Sequence, residues 1–200
     1  MTSSKAAERL NNITQHLKDE ALEQSEWKDI IYDIKKRQEQ NRTADPTDRG
    51  YIRQKTQGKL WVRERIDKLI DPNTFKEFGS IAGVAKYTKD GQVKEYTPAN
   101  FVSGKAKLNQ RDVIIAADDF ALRGGHADGS VYGKSLYAEQ LARHLKIPIV
   151  RLIDGSSGGG SVTLALEKGG TILPPLIGMH DMVASLSEIP VVTAALGPGK

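Results

Sequence analysis

The chain has 200 residues, 29 basic and 25 acidic side chains, a hydrophobic share of 38% and no cysteine. That fits one large domain, or a smaller one with an appendage, with enough apolar content for a packed core. Disulfide frameworks, thiolate zinc sites, iron–sulfur clusters and cysteine nucleophiles are excluded, and a net charge of +4 over this length implies no nucleic-acid partner.

Apolar runs fall far short of the ~20 residues that cross a bilayer, so no membrane partner is expected. The first residues lack a hydrophobic signal core, and Glu8, Asp19 and Glu20 count against an acid-poor presequence. Cytoplasm is the expected compartment, with the mitochondrial matrix as the alternative.

Leu10, Ile13, Leu17 and Ala21, then Trp27, Ile30, Ile31 and Ile34, recur at helical spacing and predict a helix over residues 6–40. Its polar face is not basic-rich, so the apolar stripe is expected to pack within the protein or on a neighbouring subunit. Residues 41–48 have turn composition. Thr47 or Asp48 is a candidate cap for a second helix in which Leu60, Ile66, Leu69 and Ile70 share a face, stopped at Asp71-Pro72-Asn73. Residues 1–48 are expected to form a helical extension to a domain over 49–200.

From Phe75 onward, Gly79, Gly83, Gly91 and Gly104 interrupt short runs rich in valine, alanine and aromatics, as strands joined by tight turns do. Phe101-Val102-Ser103 and Val113-Ile114-Ile115-Ala116-Ala117 flank a hairpin connection at Asn109-Gln110-Arg111-Asp112, and Asp118 and Asp119 end the second strand. A helix over 130–146, with Tyr132, Leu136, Leu141 and Leu145 on one face, feeds a strand over 147–153. A helix over 176–187 then feeds an apolar run over 189–196. Nearly all-apolar strands fed by helices predict an α/β fold with a parallel sheet.

Two glycine-rich loops leave these strands, over 122–130 and 154–161. In layered α/β folds ligands sit beyond the carboxyl ends of strands, where backbone amides can face an anion or a developing oxyanion. Nucleotide motifs fail. Gly129 to Gly133-Lys134-Ser135 is one residue short of a P-loop, and Thr163 stands where a dinucleotide fingerprint needs its last glycine. Gly155-Ser156-Ser157-Gly158-Gly159 matches a nucleophile elbow, but His16, His126, His144 and His180 stand in unsuitable places for a triad. His126 is weighed as a loop contact ahead of a catalytic base.

The run Gly58-Lys59-Leu60-Trp61-Val62-Arg63-Glu64-Arg65-Ile66-Asp67-Lys68-Leu69-Ile70-Asp71-Pro72, closing on Phe75 and Gly79, resembles the opening signature of carboxyltransferase (beta) subunits of biotin-dependent acyl-CoA carboxylases. Arg123-Gly124-Gly125 with Lys134, Leu136, Ala138 and Ala142 resembles the Lys-Gly-Gly stretch of the methylcrotonoyl-CoA/propionyl-CoA carboxylase type. Leu152-Ile153-Asp154 through Ser157-Gly158-Gly159 resembles its Leu-Val-Asp-Ser-Gly-Gly loop, and Ile189-Pro190-Val191 to Gly197-Pro198 the strand before a Gly-Pro turn.

The resemblance covers about residues 50–198 and implies a crotonase-like ββα spiral, here incomplete and preceded by helices. It implies a ligase-type enzyme that transfers carboxyl from carboxybiotin to the α or vinylogous carbon of an acyl-CoA. By the same resemblance Gly158 and Gly159 form a backbone oxyanion hole, with Gly159 and Gly160 as the alternative register. Arg123, Gly124, Gly125 and Lys134 bind coenzyme A. The biotin is carried by a biotin carboxylase or biotin carrier partner, and the protein self-associates at full length. No metal is implied.

Gly155 and Ser156 are additional to the family's loop, and Lys200 falls where its next turn begins. The expectation is therefore an N-terminal part, inactive alone, of a longer carboxyltransferase, or else a non-catalytic acyl-CoA-binding or assembly module of the same fold. A crotonase-type hydratase would need paired glutamates near the loops, for which only Glu139 and Glu167 stand close. The zinc-ribbon acetyl-CoA type is excluded by the absence of cysteine; acetyl-, propionyl- and geranyl-CoA remain open as substrates.

Overall fold

The computed structural model describes residues 19–126, 131–155, 162, 165–166, 169–170 and 178–197, and the chain divides into two compact units between Asn41 and Arg42. Ser25 breaks the long helix predicted for the first unit. Its Oγ accepts from the Trp27 N–H at 3.1 Å, satisfying a donor at a helix start, and helix α1 (Lys28–Arg42) follows. Glu23 anchors the entry by pairing with Lys28 and accepting from the Tyr32 hydroxyl. No α1 residue is buried, and Trp27 and Ile30 of the expected stripe are exposed.

In the second unit Asp48 caps helix α2 (Arg49–Thr56), its carboxylate accepting from the Tyr51 N–H at 2.9 Å. The single helix expected next is two. Gly58 adopts φ +70, a left-handed stop that a side chain disfavours, and helix α3 (Val62–Leu69) restarts with Glu64 accepting from the Trp61 N–H at 2.8 Å. Val62 and Ile66 are its buried residues, Ile70 just after it is buried too, and Leu69 is half-buried.

Among the rest of the described residues follow β1 (Lys76–Phe78), β2 (Gly83–Tyr87), β3 (Val93–Pro98), β4 (Phe101–Leu108), β5 (Arg111–Asp118), α4 (Tyr132–Leu145), β6 (Ile149–Ile153), α5 (Met179–Glu188) and β7 (Val191–Ala195). The main sheet has the order β1-β4-β5-β6-β7, with β2-β3 a separate ribbon. It is mixed: the helix-fed strands run parallel as expected, and the strands flanking the expected hairpin connection pair antiparallel. β1, β4 and β5 pair antiparallel, whereas β6 and β7 run parallel to β5. Connection length decides this, because a two-residue turn can join only antiparallel strands and parallel neighbours need a crossover. That turn is Asn109-Gln110, both left-handed at φ 49 and 66, which suits the strand twist. Asp71 braces it, its carboxylate accepting from both turn amides at 2.9 and 2.7 Å.

Strand β5 is apolar at successive positions because both faces are covered. Val113, Ile115 and Ala117 join Val62 and Ile66 of α3 in one cluster, while Ile114 and Ala116 join Ala138 and Ala142 of α4 in another. Small alanines, rather than the predicted leucines, are the fully buried apolar residues of α4; Leu145 is exposed, and Leu136 and Leu141 are half-buried. Close helix-to-sheet approach favours the small side chains. Strand β7 is covered less than expected, with Val192 56% exposed.

Outside the sheet, α4 and α5 are joined by charge. Arg143 bonds Asp181 and Glu188, each at 2.7 Å, and Lys146 reaches Glu188 at 2.6 Å. Hydrogen bonds from Arg143 and then Lys146 hold the Glu188 carboxyl down at about 2.

Candidate functional site

Parallel strands β5, β6 and β7 release their carboxyl ends side by side, at Asp118, Asp154 and Gly197 respectively. Asp154 lies at the centre and is wholly buried. An isolated buried carboxylate is costly unless paired and hydrogen-bonded, and three elements outside the strands meet that need. Arg65 of α3 approaches its Oδ2 at 2.5 Å, Gln54 of α2 donates to Oδ2 at 3.1 Å, and Lys59 from the connection between them lies 4.0 Å from Oδ1. The Asp154 N–H in turn donates to Asp118 at 3.2 Å.

Two glycines pack on this residue. A Cβ at Gly125 would stand 2.8 Å from the Asp154 carbonyl oxygen and from the Gly155 Cα, so the first glycine turn leans directly on the start of the second loop. Gly125 also has φ +65, after Arg123 at 52 and Gly124 at 62, a left-handed run closed by Gly125 and His126 amides donating back to Leu122 and Arg123 carbonyls. A Cβ at Gly197 would come within 1.6 Å of Asp154 Oδ1.

Neighbouring polar residues fix the same turns. Asp119 accepts from the Trp61 indole at 3.1 Å and the Ala121 N–H at 3.0 Å. Burial dominates and pushes its carboxyl up to about 6. The buried Asn100 side chain donates to the His126 carbonyl at 2.7 Å, and its backbone carbonyl accepts from the Asp119 N–H at 2.9 Å. A cavity of about 410 Å³ is lined in part by Trp61, Arg63, Ile66, Phe75 and Glu77, and the Arg63–Glu77 pair at 2.9 Å balances charge on its wall.

Of the residues singled out in the sequence, Arg123, Gly124 and Gly125 form the turn just described, with Arg123 exposed and Gly125 buried. Lys134 lies in a buried ion pair with Glu77 at 3.4 Å, and burial lowers its amine. Gly158, Gly159 and Gly160 lie outside the described residues, as does Glu167. Glu139, the other glutamate weighed for hydratase chemistry, is buried in a two-pronged bond with Arg151 at 2.7 and 2.8 Å. His126 accepts from the Asn100 side chain through its backbone carbonyl. Sequence reasoning missed the roles of Gln54, Lys59, Arg65, Asn100 and Asp119. Acids closing all-apolar strands demand buried partners, but with 29 basic residues in the chain that signal does not say which cations supply them.

The mixed sheet and its covering helices make this an α/β fold, and its solved structural neighbours share the crotonase-like fold that the resemblance implied. The carboxyl transferase domain family matches residues 53–198, and the chain belongs to that family, as the resemblance implied. The methylcrotonoyl-CoA carboxylase beta chain of Dictyostelium discoideum is 33% identical over 54% of this chain and 17% of its own. A biotin-dependent 3-methylcrotonyl-coenzyme A carboxylase beta1 subunit of Mycobacterium tuberculosis is 29% identical over 75% of this chain and 27% of its own. Among solved structures, a single-chain, multi-domain long-chain acyl-CoA carboxylase superposes with a TM-score of 0.64 at 22% identity, over 82% of this chain and 17% of that one. The chain thus spans about a sixth to a quarter of the length of these relatives. Among the described residues no helix is long and apolar enough to cross a membrane.

Proposed function

We propose that this chain forms the acyl-CoA side of a carboxyltransferase that moves a carboxyl group from carboxybiotin to an acyl-CoA, of the methylcrotonoyl or propionyl type. The observation that carries the reading is the contact of the Arg123–Gly125 turn with the exit of β6, at the carboxyl ends of parallel strands. Backbone N–H groups of Gly158 and Gly159, or Gly159 and Gly160, donate to the thioester oxygen as it gains negative charge. Losing one such donor costs roughly 3–4 kcal/mol of transition-state stabilisation in hydrolases where an oxyanion-hole donor was removed. Arg123 meets the coenzyme A phosphates, with Gly124 and Gly125 beside it, while Lys134 acts through its pair with Glu77 to seat α4.

Biotin supplies the activated carboxyl when carried in by a partner. Arg65, Lys59 and Gln54 are turned onto Asp154 and offer no cradle for its ureido ring, so no biotin site is assigned to the described residues. A biotin-bearing partner and self-association belong to the same reading.

The test is carboxyl transfer by the protein at its natural length, with its biotin-bearing partner, to acetyl-, propionyl-, methylcrotonoyl- and geranyl-CoA. Transfer to one thioester that weakens on Arg123→Glu supports the reading. Binding without transfer favours a non-catalytic module, and neither binding nor transfer defeats both.

A further inference from the structure

Among the described residues Asp154 touches more of the strand-end region than Arg123, Gly124, Gly125 or Lys134, and its described side-chain partners Gln54, Lys59 and Arg65 all belong to the fold. It receives Gln54 from α2 and Arg65 from α3, binds Asp118 at the end of β5 through its amide, supports Gly125 with its carbonyl and packs against Gly197 after β7. Asp154 is 0% exposed and the Arg65 side chain 9%, so neither charge is answered by bulk water and each fixes the other. A buried pair is seldom a strong source of stability against an apolar alternative. It is directional, however, and this one fixes the exit of β6 and, through Gly125, the adjacent turn.

We infer that Asp154 is a positioning residue, held by Arg65, that sets the placement of the Arg123–Gly125 turn and of the backbone leaving β6, and thereby the rate of carboxyl transfer. The inference rests on the carboxyltransferase reading. Asp154→Asn, which keeps size and removes charge, and Arg65→Gln are compared with wild type at natural length, using kcat per folded enzyme and KM for the acyl-CoA. Each lowers kcat by roughly 100-fold, the scale of an ångström's misplacement, with KM changed little. Because the two act as a unit, the double variant loses no more than the worse single, and Arg65→Lys restores part of the rate. Glu95→Ala, on the exposed β2–β3 ribbon, leaves it unchanged.

Folded single variants with wild-type kcat, or a double variant whose loss is the product of the singles, overturn the inference. Amide hydrogen exchange gives a readout that needs no turnover. In Asp154→Asn, residues 122–126 and 154–155 exchange faster while the β4–β5 hairpin keeps its protection. Unchanged exchange at the turn overturns positioning even if wild type transfers nothing, which defeats the carboxyltransferase reading separately.

Discussion

Two groups of carboxylates in this chain use the same residue types to opposite ends. Asp118, Asp119 and Asp154 are sealed at the carboxyl ends of the strands, whereas Asp181 and Glu188 hold α4 to α5 where water reaches them. In the first group burial lifts Asp119 to about 6, and the Arg65–Asp154 pair is closed off from water. In the second, hydrogen bonds from Arg143 and Lys146 dominate and hold Glu188 at about 2, but solvent screens the pairs. Surface charge joins elements cheaply, and buried charge fixes a site at a cost.

The largest effect separating the two is loss of one partner in the sealed group. Asp154→Ala strands Arg65 in the interior and lowers unfolding free energy by about 3–5 kcal/mol. A urea midpoint indistinguishable from wild type would show that the node is open to water.

Next comes proton linkage. The Asp119 carboxyl is raised above its unfolded value of 3.8 to about 6, so the native state binds a proton more readily and stability rises as pH falls from about 7 to about 4. At about 1.4 kcal/mol per pKa unit the gain is on the order of 3 kcal/mol, and Asp119→Asn removes it. Glu188 has the opposite sign: its contribution is present above the ordinary carboxylate range near 4.5 and is lost as pH falls towards 2. Matching slopes in wild type and Asp119→Asn between pH 4 and 7 would overturn the assignment.

Gly197→Ala is a smaller perturbation. The methyl group meets Asp154 Oδ1, and the crowding costs roughly 1–3 kcal/mol, visible in thermal unfolding. Glu188→Gln has the smallest effect, and raising the ionic strength erases it; a change as large as that of Asp154→Ala would remove the contrast between the regions.

Much of the architecture was legible because periodicity and punctuation are local. The strand pair around Asn109-Gln110, the two helix-fed strands and the Asp48 cap all follow from spacing and turn chemistry. Errors arose where a local breaker was overlooked or where tertiary contact overrode pattern. Ser25 and Gly58 split helices whose apolar stripe ran on unbroken, and Ala138 and Ala142 replaced larger leucines against the sheet. Arg123-Gly124-Gly125 stood out as a glycine turn. The partners of Asp154 did not, because Gln54, Lys59 and Arg65 lie about a hundred positions earlier and reach it only when α2 and α3 cover the sheet.

The Asn109-Gln110 turn also has a consequence in time. It closes β4 onto β5 across two residues, so its pairings form at the microsecond scale of hairpins, whereas β6 must wait for a loop containing all of α4 to close. Strands of high sequence separation join late. Weakening Ala106 or Val113 in the hairpin is therefore expected to slow folding, while weakening Val150 in β6 mainly hastens unfolding, as stopped-flow chevrons would register. On this order the sheet grows outward from the braced β4–β5 hairpin, and the β6–β7 edge is expected to be the last part of the described chain to take shape.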